Sequence, residues 1–325
     1  MRAPDFWRTD NGIARLLEPA GLIYAAVTAR RIARTVPYKA AKPVICVGNL
    51  TAGGTGKTPV ATFIAARLKD QGRTPGILLR GYGGSLKGPV KVDAHSHTAD
   101  EVGDEALLHA RICPTWIGGE RARTAPHAIQ AGADVLVMDD GHQHPGLAKD
   151  LSLVVVNGRL GFVNGRIIPA GPLREPVTTG LARADAVVLM GEDSHGLAPR
   201  LAEWLPVLRA RLAPGPEWQT LRGQRVVGFA GIGDPEKFFN ALVEAGAQVV
   251  GFHPFSDHAG YGPADIQPLL DQAYNAEALP VTTAKDAVRL DPDQRQQVNV
   301  LTVTAGWEDV SALDALLDKA LLRGG

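Results

Sequence analysis

The stretch Val44-Ile-Cys-Val-Gly-Asn-Leu-Thr51-Ala-Gly-Gly-Thr-Gly-Lys-Thr58-Pro-Val-Ala-Thr-Phe-Ile-Ala-Ala-Arg-Leu-Lys-Asp70 decides the fold. Val44 to Val47 is a short apolar run that reads as a buried strand, and Pro59 to Asp70 carries a helical pattern. A glycine-rich loop held between a strand and a helix places backbone N–H groups and a helix N-terminus around an anion, which is how a Walker A loop grips phosphate. Gly53, Gly54 and Gly56 let the backbone curl without Cβ clashes. The expected nucleotide contacts are Thr51, Ala52, Gly53, Gly54, Thr55, Gly56, Lys57 and Thr58. Lys57 would reach the β- and γ-phosphates of ATP and the Thr58 hydroxyl would ligate Mg²⁺. Thr51 stands where the first glycine is usual. Ala52 stands where dimerising P-loop ATPases place a second lysine, which argues against that subclass.

Outward from this loop, Gly76–Leu79, Asp134–Met138 and Leu151–Val156 read as further buried strands separated by helix and turn signals. That alternation predicts an α/β fold with a P-loop-type parallel sheet flanked by helices. The pattern pauses at the proline-rich Arg211–Pro216 and restarts with strands at 226–230, 248–252, 280–283 and 298–302, predicting a second, smaller α/β/α domain. The expected division is an N-terminal helical segment 1–40, a kinase-like domain 41–222 and a C-terminal domain 223–325. Asn164-Gly165 is a strong hairpin signal and predicts a hairpin linker near 158–171.

Val135-Leu-Val-Met-Asp139-Asp140-Gly-His-Gln-His144 has the form of a Walker B strand, an apolar run ending in carboxylates at the sheet edge where such folds bind ligands. Asp139 is expected in the Mg²⁺ shell, with Asp140 beside it. Asp104 and Glu105 open a helical pattern, where acids are favoured by the helix dipole alone. Glu105, like Asp140, is a candidate for orienting metal or water. His142 and His144 with the aspartates would suit a transition metal, but no further ligands follow at a telling spacing. His95 and His97 lie in a polar loop and read as solvated. Ser256-Asp257-His258 follows a strand, and its position alone does not decide a role.

Composition excludes several classes. Lys plus Arg and Asp plus Glu number 34 each, so no whole-chain field draws nucleic acid. Cys46 and Cys113 lie far apart in apolar stretches and read as reduced, buried thiols. No run approaches the roughly 18 apolar residues of a membrane span, and the N-terminus lacks the basic and apolar regions of a signal peptide; a cytoplasmic protein is expected. Leu22 to Val36 reads as one helix, with Leu22, Ala25, Ala26, Ala29, Ile32, Ala33 and Val36 on one stripe and Arg30, Arg31 and Arg34 opposite; Pro19 suits its first turn and Pro37 ends the pattern. At about 22 Å such a helix is too short to span. It suits either the membrane interface or the protein's own core.

Together these stretches resemble the tetraacyldisaccharide 4′-kinase family. The resemblance is carried by Val47-Gly-Asn-Leu-Thr-Ala-Gly-Gly-Thr-Gly-Lys-Thr-Pro59, Arg80-Gly-Tyr-Gly83, Val102-Gly-Asp-Glu105 and Asp139-Asp-Gly-His-Gln-His144. It continues through Asn164-Gly165, Pro169-Ala-Gly-Pro-Leu-Arg174-Glu175-Pro176, Asp257-His258 and Thr283-Ala-Lys-Asp-Ala287, in the family's order and over nearly the whole chain. It implies two α/β/α domains with the active site between them. It also implies transfer of the ATP γ-phosphate, with Mg²⁺, to the 4′-hydroxyl of a tetraacylated glucosamine disaccharide 1-phosphate, giving lipid IVA in lipid A biosynthesis. The catalytic set it implies is Lys57 with Asp104 and His258 as an acid–base pair. His144, Arg174 and Glu175 are motif residues without an assigned role. A membrane-docking N-terminal helix on the cytoplasmic side of a bacterial inner membrane is implied too, with the acylated disaccharide as partner and no obligate protein partner. Ala259, Ala284 and His142 depart from the family's usual histidine, glutamate and apolar residue. The competing reading is a P-loop NTPase acting as a switch or chaperone, which would hydrolyse nucleotide without an acceptor hydroxyl.

Overall fold

The computed structural model describes residues 4–257 and 259–323. Helix α1 (Gly12–Arg34) leads into β1 (Val44–Gly48), α2 (Lys57–Asp70), β2 (Pro75–Leu79) and β3 (Val90–Lys91). Next come α3 (Ala99–Val102), α4 (Asp104–Ala110), β4 (Thr115–Ile117), α5 (Arg121–Gln130), β5 (Val135–Asp139) and β6 (Leu151–Asn157). Then follow α6 (Val177–Leu181), β7 (Ala186–Met190), α7 (Leu197–Ala202), β8 (Val207–Pro214), β9 (Arg225–Ala230), α8 (Pro235–Glu244) and β10 (Gln248–Pro254). The chain finishes with α9 (Pro263–Asn275), β11 (Leu279–Thr283), α10 (Ala284–Ala287), α11 (Pro292–Gln296), β12 (Asn299–Leu301), β13 (Val303–Trp307) and α12 (Val310–Arg323).

The larger sheet has the order β13-β8-β7-β6-β1-β5-β2-β4-β3. Only its two edge pairings, β13 on β8 and β3 on β4, are antiparallel. All five residues of β1 and of β5 are buried, as strands covered by helices on both faces require. Their register sets Val47 opposite Asp139, so the phosphate loop and the carboxylate ending β5 leave the sheet side by side. The smaller sheet, β10-β9-β11-β12, is parallel throughout. The α/β class and the second sheet agree with the sequence reading.

Four expectations need correction. The C-terminal unit does not run unbroken from 223 to 325, because β13 and α12 return to the larger sheet. Strand β13 covers the otherwise open edge of β8, and Leu313, Leu317 and Ala320 of α12 join the core formed by Ile45, Ile64 and Leu153. Arg67 of α2 holds Asp314 of α12 at 2.7 Å. The proline-rich break begins later than expected, since pairing with β13 carries β8 through to Pro214. Residues 158–171 form a looped turn rather than a hairpin. The Asn164 amide donates to the Ala170 carbonyl and its oxygen accepts from the Arg166 N–H, so the side chain replaces strand pairing as the organiser.

Lastly, α1 begins ten residues earlier than expected. Asn11 caps it by accepting from the Ala14 N–H, and Pro19 lies inside the helix rather than in its first turn. Its 23 residues make it about 35 Å long, so length does not forbid spanning. Even so, no helix among the described residues is long and apolar enough to cross a membrane. Its inward face is Ala14, Gly21 and Thr28. Gly21 lets the helix approach the loop beneath, where a Cβ would meet the Ile167 carbonyl oxygen at 2.8 Å. Trp7 donates to the Pro169 carbonyl, Arg166 pairs with Asp10 and Glu18, and Arg31 donates to the Gln143 carbonyl. Ile13, Leu16, Leu22, Ile23, Tyr24 and Val27 stay exposed.

Candidate active site

The site forms where β1 and β5 end. After β1 the loop turns through Gly53 (φ 119°) and Gly56 (φ 90°), conformations open to glycine and costly for other residues, and α2 starts at Lys57. The loop is braced from below. The Ala52 N–H donates to the Pro172 carbonyl at 2.7 Å, and the Thr55 hydroxyl accepts from the Asn49 amide at 3.1 Å. The Ala52 N–H therefore serves the loop's shape instead of facing a phosphate. The Lys57 ammonium lies 3.9 Å from Glu105, and the Thr58 hydroxyl donates to the same carboxylate at 3.3 Å. Burial works against the Lys57 charge, but Glu105, Asp139 and Asp140 outweigh it and raise its pKa.

Asp139 is fully buried. One carboxylate oxygen is held 2.9 Å from His109 Nε2, while the other, Oδ1, is buried with no hydrogen-bond partner among the described residues. Burial opposes its charge, yet the hydrogen bond and charge of His109, with the Lys57 ammonium, hold its pKa below the ordinary carboxylate value. An ionised buried oxygen left unpaired is costly unless a cation or donor meets it. Among the described residues no group of three or more His, Cys, Asp or Glu side chains is placed to hold a metal alone. That suits Mg²⁺, which takes one or two carboxylates, waters and phosphate oxygens instead of a full protein cage. Asp139, with Thr58 and Glu105 adjacent, fits that demand.

Asp140 takes a positive φ of 55° and accepts from Arg174 at 2.8 Å. Glu175 is buried and accepts from Gln143 at 2.9 Å and Arg183 at 2.8 Å, and Gln143 also donates to the Asn49 carbonyl. Arg174 and Glu175 thus brace the phosphate loop against the Asp139-Asp140 turn. His142 is no metal ligand, since its ring nitrogens are spent on Ser152 and the Gly180 carbonyl. Burial lowers its pKa to about 3. His144 is lowered to about 4 by burial, with Arg121 and Lys149 adding to the effect.

Asp104 opens α4, next to Glu105. Gly103 before it has φ 87°, and a Cβ there would strike the Tyr82 carbonyl oxygen. A cleft of about 1740 Å³ between the two sheets' domains reaches the site at Asp104, between Tyr82, His97, Tyr261 and Arg295. Arg289 crosses it, donating from Nε to Asp104 at 3.0 Å and from Nη1 to Asp286. Asp286 also accepts from Tyr261 and from the Gly231 N–H. Asp257 pairs with Lys285 at 3.3 Å, and His258 lies outside the described residues.

Sequence reasoning missed His109 and Arg289. His109 stands one helical turn after Glu105 on the same face of an apolar run, a spacing that points to Asp139's neighbourhood. Arg289 carried no comparable signal, because its partner lies 185 positions away.

A family model described as Tetraacyldisaccharide-1-P 4'-kinase matches residues 13–322. Proteins named tetraacyldisaccharide 4'-kinase align along almost the full chain. The one from Rhodospirillum rubrum is 56% identical over 99% of this chain and 98% of its own. Those from Rhodospirillum centenum and Paramagnetospirillum magneticum are 54% and 52% identical, over 98% and 99% of this chain and 96% and 100% of theirs. The crystal structure of the "apo" form of LpxK from Aquifex aeolicus, in complex with ATP, superposes with a TM-score of 0.77 at 26% identity, covering 95% of this chain and 99% of that one. With the phosphate loop, Asp139 and the second domain in place, this chain belongs to the tetraacyldisaccharide 4′-kinase family.

Proposed function

We propose that this chain transfers the γ-phosphoryl group of ATP to the 4′-hydroxyl of a tetraacylated glucosamine disaccharide 1-phosphate. The observation that carries the reading is the buried Asp139 Oδ1, unpaired beside Lys57, Thr58 and Glu105 at the mouth of a strand–loop–helix phosphate cradle. Lys57 and the N-terminus of α2 hold the phosphates and meet the charge that grows as the phosphoryl group departs. Thr58, Asp139 and Glu105 are the residues that would hold Mg²⁺. Mg²⁺, when bound, neutralises phosphate charge and orients the transferred group. Asp104 takes the proton of the acceptor hydroxyl at the cleft, with His258 completing the pair that the family resemblance implies. Arg174, through Asp140, keeps the Asp139-Asp140 turn in register with the phosphate loop.

The acceptor carries acyl chains, so it has to be met at a lipid surface. The exposed Ile13, Leu16, Ile23 and Val27 of α1, with Arg30, Arg31 and Arg34 at its end, suit a helix lying in the interface with arginines at the headgroups. This supports peripheral attachment to a membrane, and the family resemblance implies the cytoplasmic face of the inner membrane. Labelled ATP with and without purified disaccharide 1-phosphate tests the reading. Label should move to the lipid and ATP should persist without it. Acceptor-independent hydrolysis with no labelled lipid would instead favour a nucleotide switch.

A further inference from the structure

His109 makes a contact that the phosphoryl-transfer reading leaves unused. It is fully buried on α4, the seven-residue helix that also carries Asp104 and Glu105. Its Nε2 lies 2.9 Å from Asp139 Oδ2, and its Nδ1 lies 3.2 Å from the Thr62 hydroxyl. Thr62 belongs to α2, the helix that begins at Lys57. One imidazole thus joins the phosphate-loop helix, the helix bearing the proposed base and the strand ending in Asp139. Buried groups choose their hydrogen-bonding roles by what their neighbours need. A carboxylate oxygen accepts, so Nε2 carries a proton towards Asp139, while Nδ1 pairs with the Thr62 hydroxyl. Asp139 Oδ2 is pinned in this way, and Oδ1 has no hydrogen-bond partner among the described residues.

We propose that His109 is a positioning residue, fixed by Thr62, that holds the Asp139 carboxylate so that Oδ1 faces the metal position of the phosphate cradle. This deepens, and rests on, the reading of Asp139 as a Mg²⁺ ligand. A carboxylate on a single β-carbon rotates freely about χ2 unless one oxygen is pinned. Partners of this kind, which orient a ligand without touching the metal, typically change metal affinity 10- to 100-fold when removed. The same bond fixes the rotation of α4, so that Glu105 meets Lys57 and Thr58 while Asp104 meets Arg289.

The test is Mn²⁺ binding to the full chain with a non-hydrolysable ATP analogue, read by electron paramagnetic resonance, alongside the Mg²⁺ dependence of turnover. His109→Leu should weaken Mn²⁺ by roughly 10- to 100-fold and raise the Mg²⁺ needed for half-maximal rate, with turnover at saturating Mg²⁺ much less affected. His109→Gln, whose amide reaches the same distance as Nε2, should recover most of that affinity. Thr62→Val should lose a smaller amount in the same direction, and it keeps the proposal testable if His109→Leu does not fold. Unchanged Mn²⁺ affinity in folded His109→Leu or in Thr62→Val, or a His109→Gln as weak as His109→Leu, overturns the proposal. Asp139→Asn separates the two layers: if it weakens Mn²⁺ while His109→Leu does not, only the positioning role falls. If Asp139→Asn binds Mn²⁺ normally, the assignment of Asp139 to the metal falls with it.

Discussion

Asp104 shows how far single residues reveal themselves in sequence. Its place at a helix start told only of the dipole, and its role came from family resemblance. The structure adds that its carboxylate meets Arg289, a side chain 4% exposed and supplied by the other domain. Replacement by alanine would therefore confound two effects, since it also strips one of two carboxylates from the buried Arg289 guanidinium, which keeps only Asp286. Asp104→Asn keeps an oxygen for Arg289 and removes the basicity. It should lower turnover by roughly 10²–10⁴, the usual worth of a general base, with Mg²⁺·ATP affinity nearly unchanged and a melting temperature closer to wild type than that of Asp104→Ala. A loss of Mg²⁺·ATP affinity with turnover intact would move Asp104 into the metal shell. The strand–loop–helix shape of the phosphate loop, by contrast, was legible apart from the turning of the Ala52 N–H to Pro172, because its glycines act within one turn of chain.

At the scale of elements, strands and helices were legible wherever a period ran unbroken, and misjudged where tertiary contact overrode it. Proline and Asn-Gly signals misled most. Pro19 looked like a helix start, but the Asn11 cap and packing on the 166–169 loop carry the helix through it. Asn164-Gly165 looked like a hairpin, but no strands flank it to pair. The corrected α1 also moves the surface that would meet lipid. Ile32 is half-buried, whereas Ile23 and Val27 stand 67% and 62% exposed, one turn apart. Ile23→Glu with Val27→Glu should therefore shift the protein off vesicles of anionic phospholipid in a flotation assay, without changing its melting temperature. Transfer to detergent-dispersed acceptor should fall less than transfer to bilayer acceptor. Full retention on vesicles would show that this face is not the anchor.

For the molecule as a whole, the smaller unit is an insertion rather than a tail, and no local pattern announces a chain that leaves a sheet and later returns to it. Ending the chain at Thr302 should thus be ruinous. It strips β13 from β8 and uncovers the pocket filled by Leu313 and Leu317, side chains whose burial contributes about 1.5–3 kcal/mol each. Excising 215–302 and joining Pro214 to Val303 through Asn-Gly should leave a folded larger domain, because those two residues already face each other across the antiparallel pair. Circular dichroism melts and nucleotide binding would check both. The excised form should melt cooperatively and bind ATP without transferring phosphate, and the truncated form should aggregate. Cooperative melting of the truncated chain would refute this account of the core.

The two crossings between the sheets are clasped together: the Gly215 N–H donates to the Thr302 carbonyl at 3.0 Å, and the Trp218 ring donates to the same oxygen at 2.7 Å. A body tethered by one strand can swivel and drift, whereas one hung from two adjoining pins can only swing. Two such pins would confine any movement of the smaller unit to a swing about the clasp, and Arg289 meets Asp104 across the cleft that such a swing would open.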